Sequence, residues 1–127
     1  ALHGMNDYAN TYYLAGPWFA ERGVALYAYD ARGFGRSPNR GVWPGRRLMS
    51  EDLRTAVTLA RREHPGLPIT VIGDSMGSAA AIATFSDDNA PEIDRLVLVA
   101  PAVWGWSTMP DTYALTLWLG AHTFPYR

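Results

Sequence analysis

The fold is decided by the stretch Ile72-Gly73-Asp74-Ser75-Met76-Gly77-Ser78-Ala79-Ala80. It follows a short apolar run and opens a segment of small residues, so it predicts a strand, a sharp turn and a helix in succession. In that setting, Gly-x-Ser-x-Gly is typical of a turn that exposes a serine hydroxyl at the end of a strand. Such a turn also directs free backbone N–H groups of the helix N-terminus at the serine.

The glycines on either side of Ser75 fit the same interpretation. Side chains two positions before and after the serine would collide with the neighbouring helix and strand, and glycine avoids this. We therefore expect Ser75 to be the nucleophile of an ester-cleaving serine hydrolase. The alternative is a Gly-Ser turn that only starts a helix.

Three short runs predict buried strands over Val24–Tyr29, Ile69–Ile72 and Arg95–Ala100. Each is almost continuously apolar rather than alternating, as is typical of strands covered on both faces in a parallel sheet. Ala1-Leu2 is expected to be the end of one further strand.

Helical patterns separate these strands. Short helices are predicted over Pro17–Arg22 and over Ser75 to about Phe85. The clearest helix is predicted over Ser50–His64, with Ser50 as its N-cap and two acidic residues in its first turn. Its apolar stripe consists of Met49, Leu53, Ala56, Val57 and Ala60. Strands alternating with helices predict an α/β fold, in which ligands bind beyond the carboxyl ends of the strands.

Two further loops follow predicted strands. His3-Gly4-Met5 occupies the place where esterases carry one N–H of an oxyanion hole, so we expect the amides of Met5 and Met76 to stabilise an oxyanion. Taken alone, His-Gly would be an ordinary loop. The segment from Asp30 to Ser37 is rich in glycine but lacks the third glycine of a dinucleotide fingerprint. We interpret it as structural, with Asp30 and Arg32 bonding to loop backbone groups.

Taken together, these segments resemble the α/β-hydrolase superfamily, in its branch of monoacylglycerol lipases, lysophospholipases and S33-type serine aminopeptidases. The similarity rests on His3-Gly4, Asp30-x-Arg32-Gly33-x-Gly35-x-Ser37, Gly73–Gly77 and Ala100-Pro101-Ala102, and extends to about residue 104. Two positions depart from the branch: Asp74 stands where His or Glu is frequent, and Ser78 where a further glycine is frequent.

The resemblance implies a mostly parallel sheet with helices on both faces, incomplete in this chain. It implies a partial hydrolase core over residues 1–103 and the beginning of a helical lid over residues 104–127. It also implies hydrolysis of acyl esters of glycerol or lysophospholipid type, without cofactor or metal. On the same basis, His3, Gly4, Asp74 and Trp104 are expected to contact the substrate.

In the family that this chain resembles, the catalytic triad needs an acid and a histidine after the serine. The three histidines of this chain are poor candidates for the catalytic base. His3 precedes the serine and is expected to orient its own loop, while His64 is expected at the surface, ending a helix. His122 follows the serine, with Asp111 between them. On a helix, however, the two would lie about 16 Å apart, too far to pair. We expect the base and acid to lie outside this chain, and the chain alone to show little turnover.

Composition excludes several function classes. The chain has 127 residues, a net charge of -1 and no cysteine, which gives no basis for nucleic-acid binding, disulfides or thiolate metal sites. It opens on alanine rather than methionine, so we expect it to begin inside a longer protein, and a missing leader excludes nothing. We expect a cytoplasmic or membrane-peripheral location; oligomeric state is left open.

The last segment differs in composition, since it concentrates Trp104, Trp106, Met109, Tyr113, Trp118, Phe124 and Tyr126. These side chains either pack a lid on the core or touch lipid surfaces transiently. Two functional alternatives also stay open. One is another acyl hydrolase, such as a thioesterase or peptidase, and the other is a non-catalytic binding module on the same scaffold.

Overall fold

The computed structural model describes residues 1–123, with four α-helices and two strands among them. In chain order these are α1 (Ala15–Ala20), α2 (Gly45–Glu63), β1 (Thr70–Asp74), α3 (Met76–Phe85), β2 (Arg95–Val99) and α4 (Asp111–Thr123). Two short 3₁₀ helices, Ala9–Tyr12 and Trp106–Thr108, precede α1 and α4. Phe124 and Tyr126 of the aromatic segment lie outside the described residues.

The sheet is parallel, as the apolar runs predicted. β1 pairs with β2 in a register that runs from Thr70 opposite Arg95 to Asp74 opposite Val99. On the other side of β1, Leu2 forms an isolated parallel bridge to Gly73, so the chain start aligns with β1 as expected. The carboxyl ends of both strands and the Leu2 segment therefore meet at one edge, which is where ligands bind in folds of this class.

The strand predicted over Val24–Tyr29 is wrong. This segment is extended but forms no ladder, because residues 1–3 beside it make a single bond to its backbone, from the Ala1 amine to the Tyr27 carbonyl oxygen over 2.6 Å. Full burial of β2 is also wrong. The side chains of Leu96–Val99 are 37–47% exposed, since within residues 1–123 only β1 pairs with β2 and α3 lies mainly over β1.

The core lies between β1 and the two helices α2 and α3. Its buried side chains are Leu2, Met49, Leu53, Val57, Val71, Met76, Ala80 and Ala81. The small residues of α3 allow it to pack closely on both β1 and α2. The short helix α1, in contrast, buries none of its side chains completely.

Helix boundaries shift from their predicted positions. α2 begins at Gly45, so Ser50 is not its N-cap but an interior residue that is 2% exposed. The helix must already be formed there because Met49 is buried one turn before Leu53, and because Arg47 pairs with Glu51 one turn on. Its predicted end is confirmed, at Glu63. α1 begins two residues earlier than expected and ends at Ala20, with a turn that reaches Gly23 at φ 74°.

Candidate active site

Ser75 lies between the end of β1 and the start of α3 in a backbone conformation that is rare outside glycine. Its φ is 47° and its ψ is -107°. Such a conformation costs on the order of 1–3 kcal/mol and persists only where the surroundings enforce it. The sharp turn follows from the chain passing directly from strand to helix at this one residue, as the Gly-x-Ser-x-Gly pattern predicted.

Backbone hydrogen bonds enforce the turn. The Ser75 N–H donates to the Val99 carbonyl oxygen over 2.9 Å. The Ser75 carbonyl oxygen accepts from Ala79 at 3.1 Å and from Ala102 at 3.2 Å. Ser75 is therefore held by its own helix and by the exit of β2. Ala100, in that exit, also has a positive φ, 43°.

The two glycines of the pattern are required by close packing. A Cβ on Gly73 would lie 2.6–2.7 Å from backbone atoms of Gly77 and Ser78. A Cβ on Gly77 would lie 2.5 Å from the Leu2 carbonyl oxygen. Neither contact is possible for a real side chain, so the turn, the helix and the Leu2 segment can approach only with glycine at both positions.

The His3-Gly4-Met5 segment lies beside the serine. A Cβ placed on Gly4 would be 3.5 Å from the Ser75 Cβ and 3.0 Å from Asp74 Oδ2. The chain then turns at Asn6, whose φ is 59°, and the backbone N–H of Asp7 donates to the Gly4 carbonyl oxygen at 3.4 Å. Among residues 1–123, the N–H of Met5 and the N–H of Met76, which opens α3, make no protein hydrogen bond. These two N–H groups belong to the residues that directly follow Gly4 and Ser75, which lie side by side.

The imidazole of His3 is a buried support of this loop. It is 1% exposed, and Ala31 donates its N–H to Nε2 over 2.9 Å. Nε2 is thus an acceptor and the ring proton is on Nδ1, which donates to the Gly4 carbonyl oxygen over 2.8 Å. Both ring nitrogens are engaged, so His3 has no free nitrogen to take a proton from a serine. Its edge-on contact with Phe34 fixes the ring further.

The glycine-rich loop is structural, in agreement with its sequence. Asp30 accepts from the N–H groups of Ala9 and Arg36, both at 2.7 Å. These two bonds, of which the bond from Arg36 has the larger effect, hold the pKa of the Asp30 carboxyl below its usual value of 3.8. The expectation for Arg32 is wrong. Its guanidinium forms a bidentate pair with Asp52 on α2, at 2.7 and 2.8 Å, because the side chain reaches past the loop.

Tyr12 is a neighbour of the site that no sequence pattern signals. Its hydroxyl donates to the Leu2 carbonyl oxygen over 2.8 Å, which ties the first 3₁₀ helix to the segment that precedes Gly4. Burial, then the negative charges of Asp74 and Asp7, raise the pKa of Tyr12 to about 12. The phenol therefore stays protonated at neutral pH, as a donor must.

An open groove lies next to the His3-Gly4-Met5 segment. It has a volume of about 580 Å³, and its lining includes Met5, Tyr8, Phe34, Val42 and Trp43. Val42 and Trp43 are more than half exposed. No sequence pattern signalled this groove, because Val42 and Trp43 belong to a long loop without a motif.

The remaining residues with predicted roles lie elsewhere. Trp104 is 78% exposed in the loop after β2. His64 ends α2 and hydrogen-bonds through Nε2 to the Tyr27 hydroxyl at 2.9 Å. Asp111 and His122 lie at opposite ends of α4, about 16 Å apart along its axis, so they cannot form an acid–base pair. His122 instead stacks on Trp118, with 4.4 Å between the ring centroids.

Residues 1–123 contain no group of three or more potential metal-ligating side chains. None of the helices there has the length and hydropathy needed to traverse a bilayer.

Comparison with known proteins gives several related matches. The family described as Serine aminopeptidase, S33, matches residues 1–127. A monoacylglycerol lipase of Mycolicibacterium smegmatis is 38% identical over 104 residues, which are 80% of this chain and 36% of the relative. A serine hydrolase-like protein of Dictyostelium discoideum is 35% identical over 98 residues, 76% of this chain and 26% of the relative. A monoglyceride lipase of Homo sapiens is 28% identical over 102 residues, 80% of this chain and 33% of the relative. The match thus spans about a quarter to a third of the length of these three curated relatives.

Proposed function

The chain belongs to the serine aminopeptidase S33 family of α/β-hydrolases, and on that premise we propose that the complete protein is a serine hydrolase of carboxylic acyl esters. Its substrates in this proposal are lipid esters of the monoacylglycerol or lysophospholipid type, with Ser75 as the nucleophile. The names of two relatives, a monoacylglycerol lipase and a monoglyceride lipase, support this substrate class.

One observation carries the proposal: Ser75 occupies a strained turn beside Gly4, with two unbonded amides nearby. A serine that served only to start a helix would not need a φ of 47° or two sterically obligatory glycines. Strain of this kind favours a functional interpretation because it exposes the hydroxyl above the sheet edge.

In the proposed reaction, Ser75 Oγ attacks the ester carbonyl carbon and transfers its proton to a histidine base. The negative charge that forms on the carbonyl oxygen is stabilised by the N–H groups of Met5 and Met76. The alcohol leaves with the proton from the base, and water then hydrolyses the acyl-enzyme by the same steps. No cofactor is required.

We place the histidine and the acid of the triad in a part of the protein that this chain does not include. The engaged ring of His3 and the separation of Asp111 from His122 support this assignment. The 127-residue chain alone should therefore have little or no esterase turnover. The imidazole of His3 supports the loop, and we assign substrate contact near it to the backbone of Gly4 and Met5.

We also propose that residues 1–103 form part of the hydrolase core and that residues 104–127 begin a lid. Within the described residues, α4 buries no side chain, and its exposed apolar residues are Tyr113, Leu115, Leu117, Trp118 and Leu119. A helix that is apolar around its circumference suits contact with an acyl chain or transient contact with a lipid surface. Asp74 and Trp104 are proposed to border the substrate.

The test is hydrolysis of p-nitrophenyl butyrate by the complete protein that contains this chain. We expect Ser75→Ala to abolish turnover, while Ser86→Ala, at the exposed end of the same helix, leaves it unchanged. Persistent turnover in the Ser75→Ala variant would remove Ser75 from its proposed role.

The description of the family favours one second candidate, an aminopeptidase. Both reactions use the same acyl transfer at a serine, so the scaffold does not choose between them. Monoacylglycerol, lysophospholipid, thioester and amino-acyl amide substrates, compared by kcat/KM, separate the candidates. A preference for the amide would replace the lipase assignment and leave Ser75 in place.

A further inference from the structure

Ser78 lies in the first turn of α3 and is completely buried, at 0% exposure. Its hydroxyl donates to the Gly73 carbonyl oxygen over 2.5 Å and accepts from the Val99 N–H at 3.1 Å. A hydroxyl has one proton and two lone pairs, so both bonds form at once. One side chain therefore joins the end of β1, the start of α3 and the end of β2.

Both partners of the Ser78 hydroxyl belong to residues next to Ser75, one along the chain and one on the neighbouring strand. Gly73 lies two residues before it, and Val99 supplies the carbonyl oxygen that accepts the Ser75 N–H. Val99 is also the residue paired with Asp74 at the end of the parallel ladder. Among residues 1–123, the hydroxyl of Ser78 makes the only side-chain hydrogen bonds to the backbone of residues 73–77 and 99–102.

We infer that Ser78 is a positioning residue for the nucleophile, which holds the strained turn of Ser75 in register with the exit of β2. The inference rests on the proposed function of Ser75 and extends it to a residue that never touches substrate. Alanine at this position lacks the hydroxyl oxygen, so the Gly73 carbonyl oxygen and the Val99 N–H would lose their common partner. The turn could then relax, and the Ser75 hydroxyl would move away from its attack position.

Thr84 provides a matched control. It lies on the same helix, is also 0% exposed, and donates its hydroxyl to the Ala80 carbonyl oxygen over 2.8 Å. Thr84→Val removes one buried hydroxyl from α3 without contact to the turn. A general loss of helix stability should affect both variants, whereas a positioning effect should appear only in Ser78→Ala.

The experiment compares both variants in the complete protein by kcat and KM on p-nitrophenyl butyrate and by hydrogen exchange of the Ser75 and Val99 amides. For Ser78→Ala we expect kcat to fall about tenfold or more with KM nearly unchanged, because the variant loses both hydrogen bonds of the buried hydroxyl. We expect faster exchange at both amides, while Thr84→Val changes kcat by less than about twofold.

Two results would overturn the inference. One is a Ser78→Ala variant with unchanged kcat and unchanged exchange; the other is an equal loss of kcat in Thr84→Val. Failure of the proposed function is a separate outcome, because wild-type protein would then lack Ser75-dependent turnover. Amide exchange still decides the role of Ser78 in that case. If Ser78→Ala does not fold, Ser78→Cys, which keeps the size of the side chain but only weakly donates and accepts hydrogen bonds, takes its place in both measurements.

Discussion

The amide of Ser75 donates to the carbonyl oxygen of Val99 across 2.9 Å, which fastens the turn after one strand to the last residue of its parallel neighbour. Without this bond the positive φ of Ser75 would be free to relax, because a non-glycine residue avoids that region. The sheet edge therefore holds a conformation that local sequence alone would not maintain.

The close approach of α3 to the Leu2 segment predicts a large effect of Gly77→Ala. The new methyl group would overlap the Leu2 carbonyl oxygen, which is backbone and cannot move aside. We expect the free energy of unfolding of the complete protein to fall by about 2–3 kcal/mol, as in overpacked cores.

Gly120→Ala is the matched control for this measurement by urea denaturation. A Cβ at Gly120 on α4 would meet nothing within 4 Å, so the change should be neutral or stabilising by up to about 1 kcal/mol. Equal stability of the two variants would contradict the packing described for Gly77.

The buried imidazole of His3 predicts a structural role. His3→Ala removes the partners of the Ala31 N–H and the Gly4 carbonyl oxygen and leaves a cavity. We expect a loss of about 3 kcal/mol in thermal or urea unfolding. His64→Ala, at the end of α2, should cost less than about 1 kcal/mol. Equal costs would show that His3 does not support the loop.

Asp30 predicts a pH dependence of stability. Its folded-state pKa is lowered by the N–H groups of Arg36 and Ala9, so its contribution is present above the unfolded value, near 4, and is lost as pH falls through the folded pKa. In Asp30→Asn, the side-chain oxygen still accepts a hydrogen bond from one backbone N–H. The side-chain NH₂ group faces the other backbone N–H and cannot accept from it. We expect wild type to be more stable than this variant at pH 6, with the difference shrinking towards pH 3.

The measurement is the free energy of unfolding as a function of pH in that range. Asp88→Asn, at an exposed position after α3, should follow the wild-type curve. A wild-type advantage over Asp30→Asn that grows as the pH falls would contradict the hydrogen bonding of Asp30.

The groove beside Met5 predicts a dependence on acyl-chain length. Trp43 lines it with an exposed ring, so Trp43→Ala should raise KM for p-nitrophenyl octanoate several-fold and leave p-nitrophenyl acetate nearly unchanged. Trp18→Ala removes an equally exposed tryptophan from α1, outside the groove, and should change neither value. An identical effect of both variants would exclude the groove from substrate binding.

Local patterns predicted the parts of the fold that short-range chemistry determines. Sequence patterns predicted the turn at Ser75, both strands of the sheet, the end of α2 and the family. These features depend on glycine, proline and apolar periodicity, whose effects on the backbone extend over only a few residues. The extended Val24–Tyr29 segment was not predictable in this way, since a strand also needs a partner along its length. The start of α2 was missed because Ser50, an acceptable N-cap by type, lies inside a longer apolar stripe.

Contacts between distant residues were beyond local patterns. Arg32 pairs with Asp52, Tyr12 reaches Leu2, and Ser78 bridges two strands. Each contact joins segments that are brought together only when α2, α3 and the sheet pack. The sequence indicated only that Ser78 is small enough to pack at a position where glycine is frequent. Its hydrogen bonds depend on Val99, which lies beside it only in the folded structure.

If Ser75 is the reacting group, as we propose, a covalent inhibitor of serine hydrolases should modify this residue. The complete protein is treated with a fluorophosphonate and digested, and the modified residue is identified by tandem mass spectrometry. We expect a single adduct on Ser75, which does not form when the protein is denatured before treatment, because the turn is then lost. An adduct on another serine, or native protein that forms none, would contradict this role of Ser75.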